Sequence, residues 1–123
     1  MSTMRLAVPT MGQAGPNSAR SGHFGHCDCF SIVTIEDGKI AGVEGVANPH
    51  REQGSCLSPV QALQAAGVDA VVAAGMGARP MAAFKQLGIP VYFDDQAPTV
   101  AEVAAKVAAG AVREIGPNDT CRH

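Results

Sequence analysis

The sequence has no tryptophan, one tyrosine and four phenylalanines. So few rings exclude the aromatic platform on which single-stranded nucleic acid stacks. An excess of basic charge is missing as well: nine Lys and Arg stand against eleven Asp and Glu, for a formal net charge of -2. Without an electropositive stripe, no nucleic-acid partner is expected. No stretch approaches the roughly 18 apolar residues that a membrane span needs. The opening Met1-Ser2-Thr3-Met4-Arg5 lacks the charged segment and apolar run of an export signal. A soluble, cytoplasmic protein with no membrane partner is the expectation. Cysteines are few, at 27, 29, 56 and 121, with two of them one residue apart. That is a poor disulfide framework. Metal or thiol chemistry suits such thiols, and so does burial as small apolar side chains.

What is present is enough to build a core. The 123 residues are 46% hydrophobic and 16% charged, a length and composition that suit one globular domain. The expectation is a single domain over 1–123, with a core over about 4–110 and a tail over 111–123. Arg5 to Pro9 is a short apolar run ended by proline, followed by a Gly- and Ser-rich loop from Thr10 to Gly22. Phe30 to Glu36 is rich in β-branched residues, and Asp37-Gly38 then supplies a two-residue hairpin turn into Lys39–Val46. Asn48 to Gly54 is a second polar loop. Ser58 suits the cap of a helix that begins at Pro59, carries Val60 and Leu63 on one stripe and stops at Gly67. Asp69 to Ala74 reads as a parallel strand covered on both faces. Pro80 opens a second helix with Met81, Phe84 and Leu87 on one side and Gly88 beyond it, and Ile89–Phe93 returns as a strand. Thr99 and Glu102 form a capping box before Val100, Val103 and Val107, and Gly110 closes that helix. Strands separated by helices run parallel through right-handed crossovers, so the pattern predicts an α/β three-layer domain with a mixed sheet.

In such a sheet each helix begins beyond the carboxyl ends of the strands. Helix starts expose unpaired amides and a fraction of positive charge, so several on one rim prefer an anion. Gly75-Met76-Gly77-Ala78-Arg79-Pro80 places two glycines after a buried strand, which permits close approach of a ligand, and Arg79 adds a charged fork. Neither a phosphate-binding P-loop nor a dinucleotide fingerprint is present. The densest chemistry is His23-Phe24-Gly25-His26-Cys27-Asp28-Cys29. Imidazole and thiolate are ligands for zinc, copper and iron-sulfur species, which makes His23, His26, Cys27 and Cys29 the candidate metal ligands. If the chain is extended from Cys27, both sulfurs point to one face. A zinc or other metal-ion site built from His26, Cys27 and Cys29, with His50 in support, is the alternative use of the same cluster. A Cys27 or Cys56 nucleophile lacks an evident orienting group. Asp94-Asp95 reads either as a solvated turn or as a metal-binding pair.

His23-Phe24-Gly25, Cys27, Phe30-Ser31-Ile32-Val33, Asn48-Pro49, Gly67-Val68-Asp69-Ala70-Val71-Val72, Gly75-Met76-Gly77 and Leu87-Gly88-Ile89-Pro90-Val91 follow one another in an order that resembles the dinitrogenase iron-molybdenum cofactor-binding family. The resemblance spans roughly Met4 to Gly110. It implies a ribonuclease H-like fold and a non-catalytic protein that carries a metal-sulfur cluster, either of the iron-molybdenum cofactor type or the molybdenum-copper sulfide of the orange protein branch. A cluster-donating or cluster-receiving protein would be its partner. The family's histidine maps onto His23. The cofactor-binding residues so implied are His23, Phe24, Gly25, Gly75, Met76, Gly77 and Arg79, with Met81 adding apolar contact. Nuclease activity is not implied, because Arg5–Pro9 holds no Asp for a magnesium ion. The sequence departs from the family pattern at His26 and at Asp28-Cys29, which leaves open whether the cluster is bound by thiolates or held as an intact anion.

Overall fold

The computed structural model describes residues 3–15, 17–19, 27, 29–47, 58–74, 76, 78–94 and 96–115. Strand β1 (Thr3–Thr10) takes the middle of a sheet because Leu6, Ala7 and Val8 have no exposed surface. Alternate residues enter the clusters on the two sides of the sheet, so both faces of the strand are covered. On one side it pairs antiparallel with β2 (Cys29–Glu36), and on the other parallel with β4 (Ala70–Ala73), whose four residues are all buried. The Asp37-Gly38 turn forms as the sequence predicts, with φ of 52° and 82° at its two central residues. Those positive angles match the twist of the strands it joins. It leads into β3 (Lys39–Ala47), an edge strand that is mostly exposed. The β2–β3 register runs Ile35↔Ile40 and then Thr34↔Gly42, so one extra residue bulges near the edge. Such a bulge discourages edge-to-edge pairing with other chains.

Among the described residues three helices cover the sheet: α1 (Ser58–Ala65), α2 (Ala78–Leu87) and α3 (Val100–Ala108). Strands β5 (Val91–Phe93) and β6 (Arg113–Glu114) complete the order β3-β2-β1-β4-β5-β6 among the described residues. Val60 and Leu63 of α1 and Phe84 of α2 share one buried cluster with Ala7, Phe30, Ile32, Val71 and Val91. Val100, Val103, Ala104 and Val107 of α3 share another with Leu6, Val8, Val33, Ala70 and Val72 on the opposite face. The result is the expected three-layer α/β arrangement. Each large apolar side chain so buried contributes about 1.5–3 kcal/mol.

Local signals placed most of the helix ends. Gly88 sits at φ 74°, a left-handed conformation that a side chain would strain. Its N–H reaches the Lys85 carbonyl at 3.2 Å while the Ile89 N–H reaches Phe84 at 3.0 Å. This paired closure satisfies carbonyls left open at a helix end. The same pairing closes α1 through Gly67 and Val68. At the start of α3, the Thr99 hydroxyl accepts from the Glu102 N–H at 3.3 Å, as the capping box predicts. Two boundaries differ from expectation. Helix α1 begins at Ser58, one residue early, and Pro80 is the third residue of α2. First-turn N–H groups have no partner inside the helix, so proline is accepted there beyond the first position. The segment expected as a tail from 111 also contributes β6, which pairs with Tyr92 and Phe93. Among the described residues no helix is long and apolar enough to cross a membrane.

Candidate functional site at the strand ends

The register fixes which loops share an edge. Strands β1, β4 and β5 run parallel, so Thr10, Ala73 and Phe93 end on the same side of the sheet. Cys29, the first residue of antiparallel β2, pairs with Thr10 and with Ala47, the last residue of β3. Every segment that sequence reasoning assigned to a site therefore leaves or enters the sheet at one edge. Helices α1 and α2 begin there, because each returns the chain to the start of a strand parallel to β1. Helix α3 begins there as well, where Thr99 bridges Ala19 and the Val100 N–H meets the Ser18 carbonyl, and its last turn stays near the same edge, with Lys106 on Asp94. The helix starts are not equivalent. Thr99 and Glu102 occupy the first turn of α3, whereas α1 and α2 carry no acidic residue in theirs. The electropositive ends of α1 and α2 are thus left without a neutralising carboxylate from their own first turns, and Arg79 adds an exposed cation at α2.

The candidate residues divide as follows. His23, Phe24, Gly25, His26, Gly75 and Gly77 lie outside the described residues, as do Asp28, Asn48 to Cys56, Asp95 and Cys121. Cys27 and Met76 are both 1% exposed and belong to the apolar cluster beneath α1 and α2. Cys27 stands two residues before β2 and Met76 three residues after β4, so two sulfur side chains form part of the core directly below the edge. Met81 of α2 packs, partly buried, against the same cluster. Cys29 lies elsewhere. Alternation along β2 puts it with Ser31, Val33 and Ile35 on the α3 face, and its thiol donates to the Gly12 carbonyl at 3.4 Å. The two sulfurs do not share a face, contrary to the extended-chain expectation, because regular β structure starts only at Cys29. Among the described residues no three His, Cys, Asp or Glu side chains gather as a metal site.

Two polar features at this edge escaped sequence reasoning. Asp94 is 5% exposed rather than solvated. Its carboxylate accepts from the Lys106 ammonium at 2.6 Å and from the Ala97 N–H at 3.0 Å, which binds the turn after β5 to α3. Only the spacing from Asp94 to a lysine one helix away hinted at this, and spacing of that kind carries no geometry. The second feature is a buried hydroxyl chain. The Thr10 hydroxyl donates its one proton to the Val8 carbonyl at 2.8 Å, so the Ser31 hydroxyl donates to Thr10, also at 2.8 Å. The Gly15 N–H approaches Ser31 Oγ at 3.4 Å and ends the chain. Every hydroxyl in it is satisfied, as burial demands.

A mixed sheet with loops and helix starts collected at its strand ends defines an α/β domain with a candidate binding rim. The chain belongs to the dinitrogenase iron-molybdenum cofactor family, whose sequence profile matches residues 4–110. It is 35% identical over 91 residues to the uncharacterized protein MJ0580 of Methanocaldococcus jannaschii, a match that covers 72% of this chain and 73% of the relative. Its fold is similar to that of the apo orange protein from Desulfovibrio gigas, with a TM-score of 0.78 and 22% identity over 92% of this chain and 93% of the other. The Thermotoga protein TM1290 superposes with a TM-score of 0.74 at 27% identity, over 98% and 97% of the two chains.

Proposed function

We propose that this protein is a non-catalytic carrier of an anionic molybdenum-containing metal-sulfur cluster, bound at the carboxyl edge of the sheet. The observation that carries the reading is the convergence of helix starts on that edge, with no acid in the first turn of α1 or α2. Backbone amides there suit the sulfide and oxide surface of an anion, and Arg79 adds a charge-assisted donor. The apolar core below, with the sulfurs of Cys27 and Met76, offers a polarizable floor to a soft guest. His23, Phe24, Gly25, Gly75 and Gly77 complete the site in this reading, by analogy with the family. The cluster is cargo, either of the iron-molybdenum cofactor type or the molybdenum-copper sulfide of the orange protein branch. The partner is a protein that donates or receives it. The same reading assigns the fold to the ribonuclease H-like class, which a mixed sheet between two helix layers supports.

The test is uptake. Purified protein mixed with thiomolybdate and copper should retain a visible charge-transfer band through gel filtration, with molybdenum and copper in a fixed ratio to protein. Absence of the band overturns the reading. Stoichiometric zinc in place of molybdenum and sulfide would instead favour a metal-ion site drawing on His26, Cys27, Cys29 and His50. The burial of Cys27 and the separation of the two sulfurs stand against that alternative.

A further inference from the structure

The loop after β1 is held at both of its described ends. The Met11 N–H donates to the Ala19 carbonyl at 2.9 Å, so the loop is closed on itself. Ala19 forms an antiparallel bridge with Thr99, and the Val100 N–H donates to the Ser18 carbonyl at 3.1 Å. Between these points the loop lies over β2 and β3 on the α3 face, where Gly12 accepts from Cys29 and Gly15 approaches Ser31. At Ala14 the approach to β3 is closest. A Cβ at Gly45 would stand 2.9 Å from the Ala14 Cβ, nearer than two such atoms come in real structures. Neither atom can swing aside, because both are fixed to backbone. A side chain at 45 would therefore move the loop and not merely a rotamer. Gly42, on the same strand, has nothing within 4 Å of its would-be Cβ.

Ala19 is also where this loop hands the chain to residues 20–26, which carry His23. Resting on the functional reading above, we propose that Gly45 is a positioning residue for cluster binding: its missing side chain lets Ala14 seat against β3, and that seat, with the Thr99 bridge, fixes the loop after β1 at the edge where the cluster is held. Gly45 itself touches no ligand. Its role is distinct from a general need for glycine in the strand, because the same change at Gly42 alters strand propensity without touching the loop.

The experiment compares wild type, Gly42→Ala, Gly45→Ala and the double variant Ala14→Gly/Gly45→Ala, each loaded with thiomolybdate and copper and passed over gel filtration. Thermal melts establish that every variant is folded, and alkylation of Cys29, resolved by peptide mass spectrometry, reports the loop position through the Gly12 contact. Gly45→Ala should lower retention about tenfold and speed Cys29 alkylation, Gly42→Ala should match wild type, and the double variant should recover both readouts. Retention in Gly45→Ala equal to wild type, a deficit equally large in Gly42→Ala, or no recovery in the double variant would overturn the proposal. Failure of wild type itself to hold the cluster would remove the functional reading, and this proposal with it.

Discussion

Two cysteines one residue apart have opposite physical fates. Cys27 is a core residue, so Cys27→Ala should open a small cavity and lower stability by about 1 kcal/mol, measured as a shift of the urea midpoint at constant slope. Cys29 is only partly buried and donates a weak hydrogen bond to Gly12, so Cys29→Ala should move the midpoint less than Cys27→Ala does. The pair also separates two modes of capture. Complete loss of cluster retention in folded Cys29→Ala would establish thiolate coordination, whereas anion capture by amides and Arg79 predicts retention close to wild type. On the same view Arg79→Ala should weaken retention by about tenfold, with Arg79→Lys recovering part of it as a point charge without the planar fork. Asp94 belongs to the frame beneath the site. Asp94→Asn removes the carboxylate charge that Lys106 faces, and because that lysine is about a third exposed and can turn to water, the loss should be about 1–2 kcal/mol.

At the scale of elements, the helices are short and depend on their ends. Helix α3 spans nine residues and α1 eight, lengths that have no stability in isolation. Thr99→Ala should therefore cost about 1 kcal/mol through the lost cap. It should also loosen the loop after β1, since Thr99 is the residue that Ala19 bridges. Faster hydrogen exchange at the Val100 amide, which Ser18 holds, would report that loosening apart from global unfolding. Gly88→Ala places a side chain at φ 74° and should cost about 1–2 kcal/mol in a thermal melt. These element-level features were legible because capping is local chemistry: the threonine, the glutamate three residues on and the glycine beyond the end each act on their own turn. The register shift between Thr34 and Ile35 was not legible, since the extra residue exists only relative to the partner strand.

At the scale of the whole molecule, the sheet separates two kinds of work. The α3 face ties the loop after β1 through Thr10, Ser31 and Thr99, while the α1 and α2 face presents helix ends free of acid above a sulfur-bearing core. An anionic guest on the second face should bind less well as salt rises, so retention should fall between about 0.05 and 0.5 M sodium chloride. A guest held only by apolar contact would be retained as well or better at the higher concentration. The net charge of -2 makes this a local preference opposed by the protein as a whole, which confines the attraction to the immediate neighbourhood of the helix starts.

The sequence by itself determined the layer class, the order of elements up to α3, the hairpin and most of the helix ends, because periodicity, turn chemistry and capping act within a few residues; the two-residue strand β6 it left as tail. It also carried the family resemblance, which resides in the order of short motifs. Tertiary structure alone decided that Cys27 lies in the core while Cys29 faces α3, that Asp94 is buried against Lys106, and that Ala14 rests on Gly45. Each of these is a meeting of residues distant along the chain or a choice between two faces of a sheet. Pairing register fixes such outcomes, and no single segment contains it.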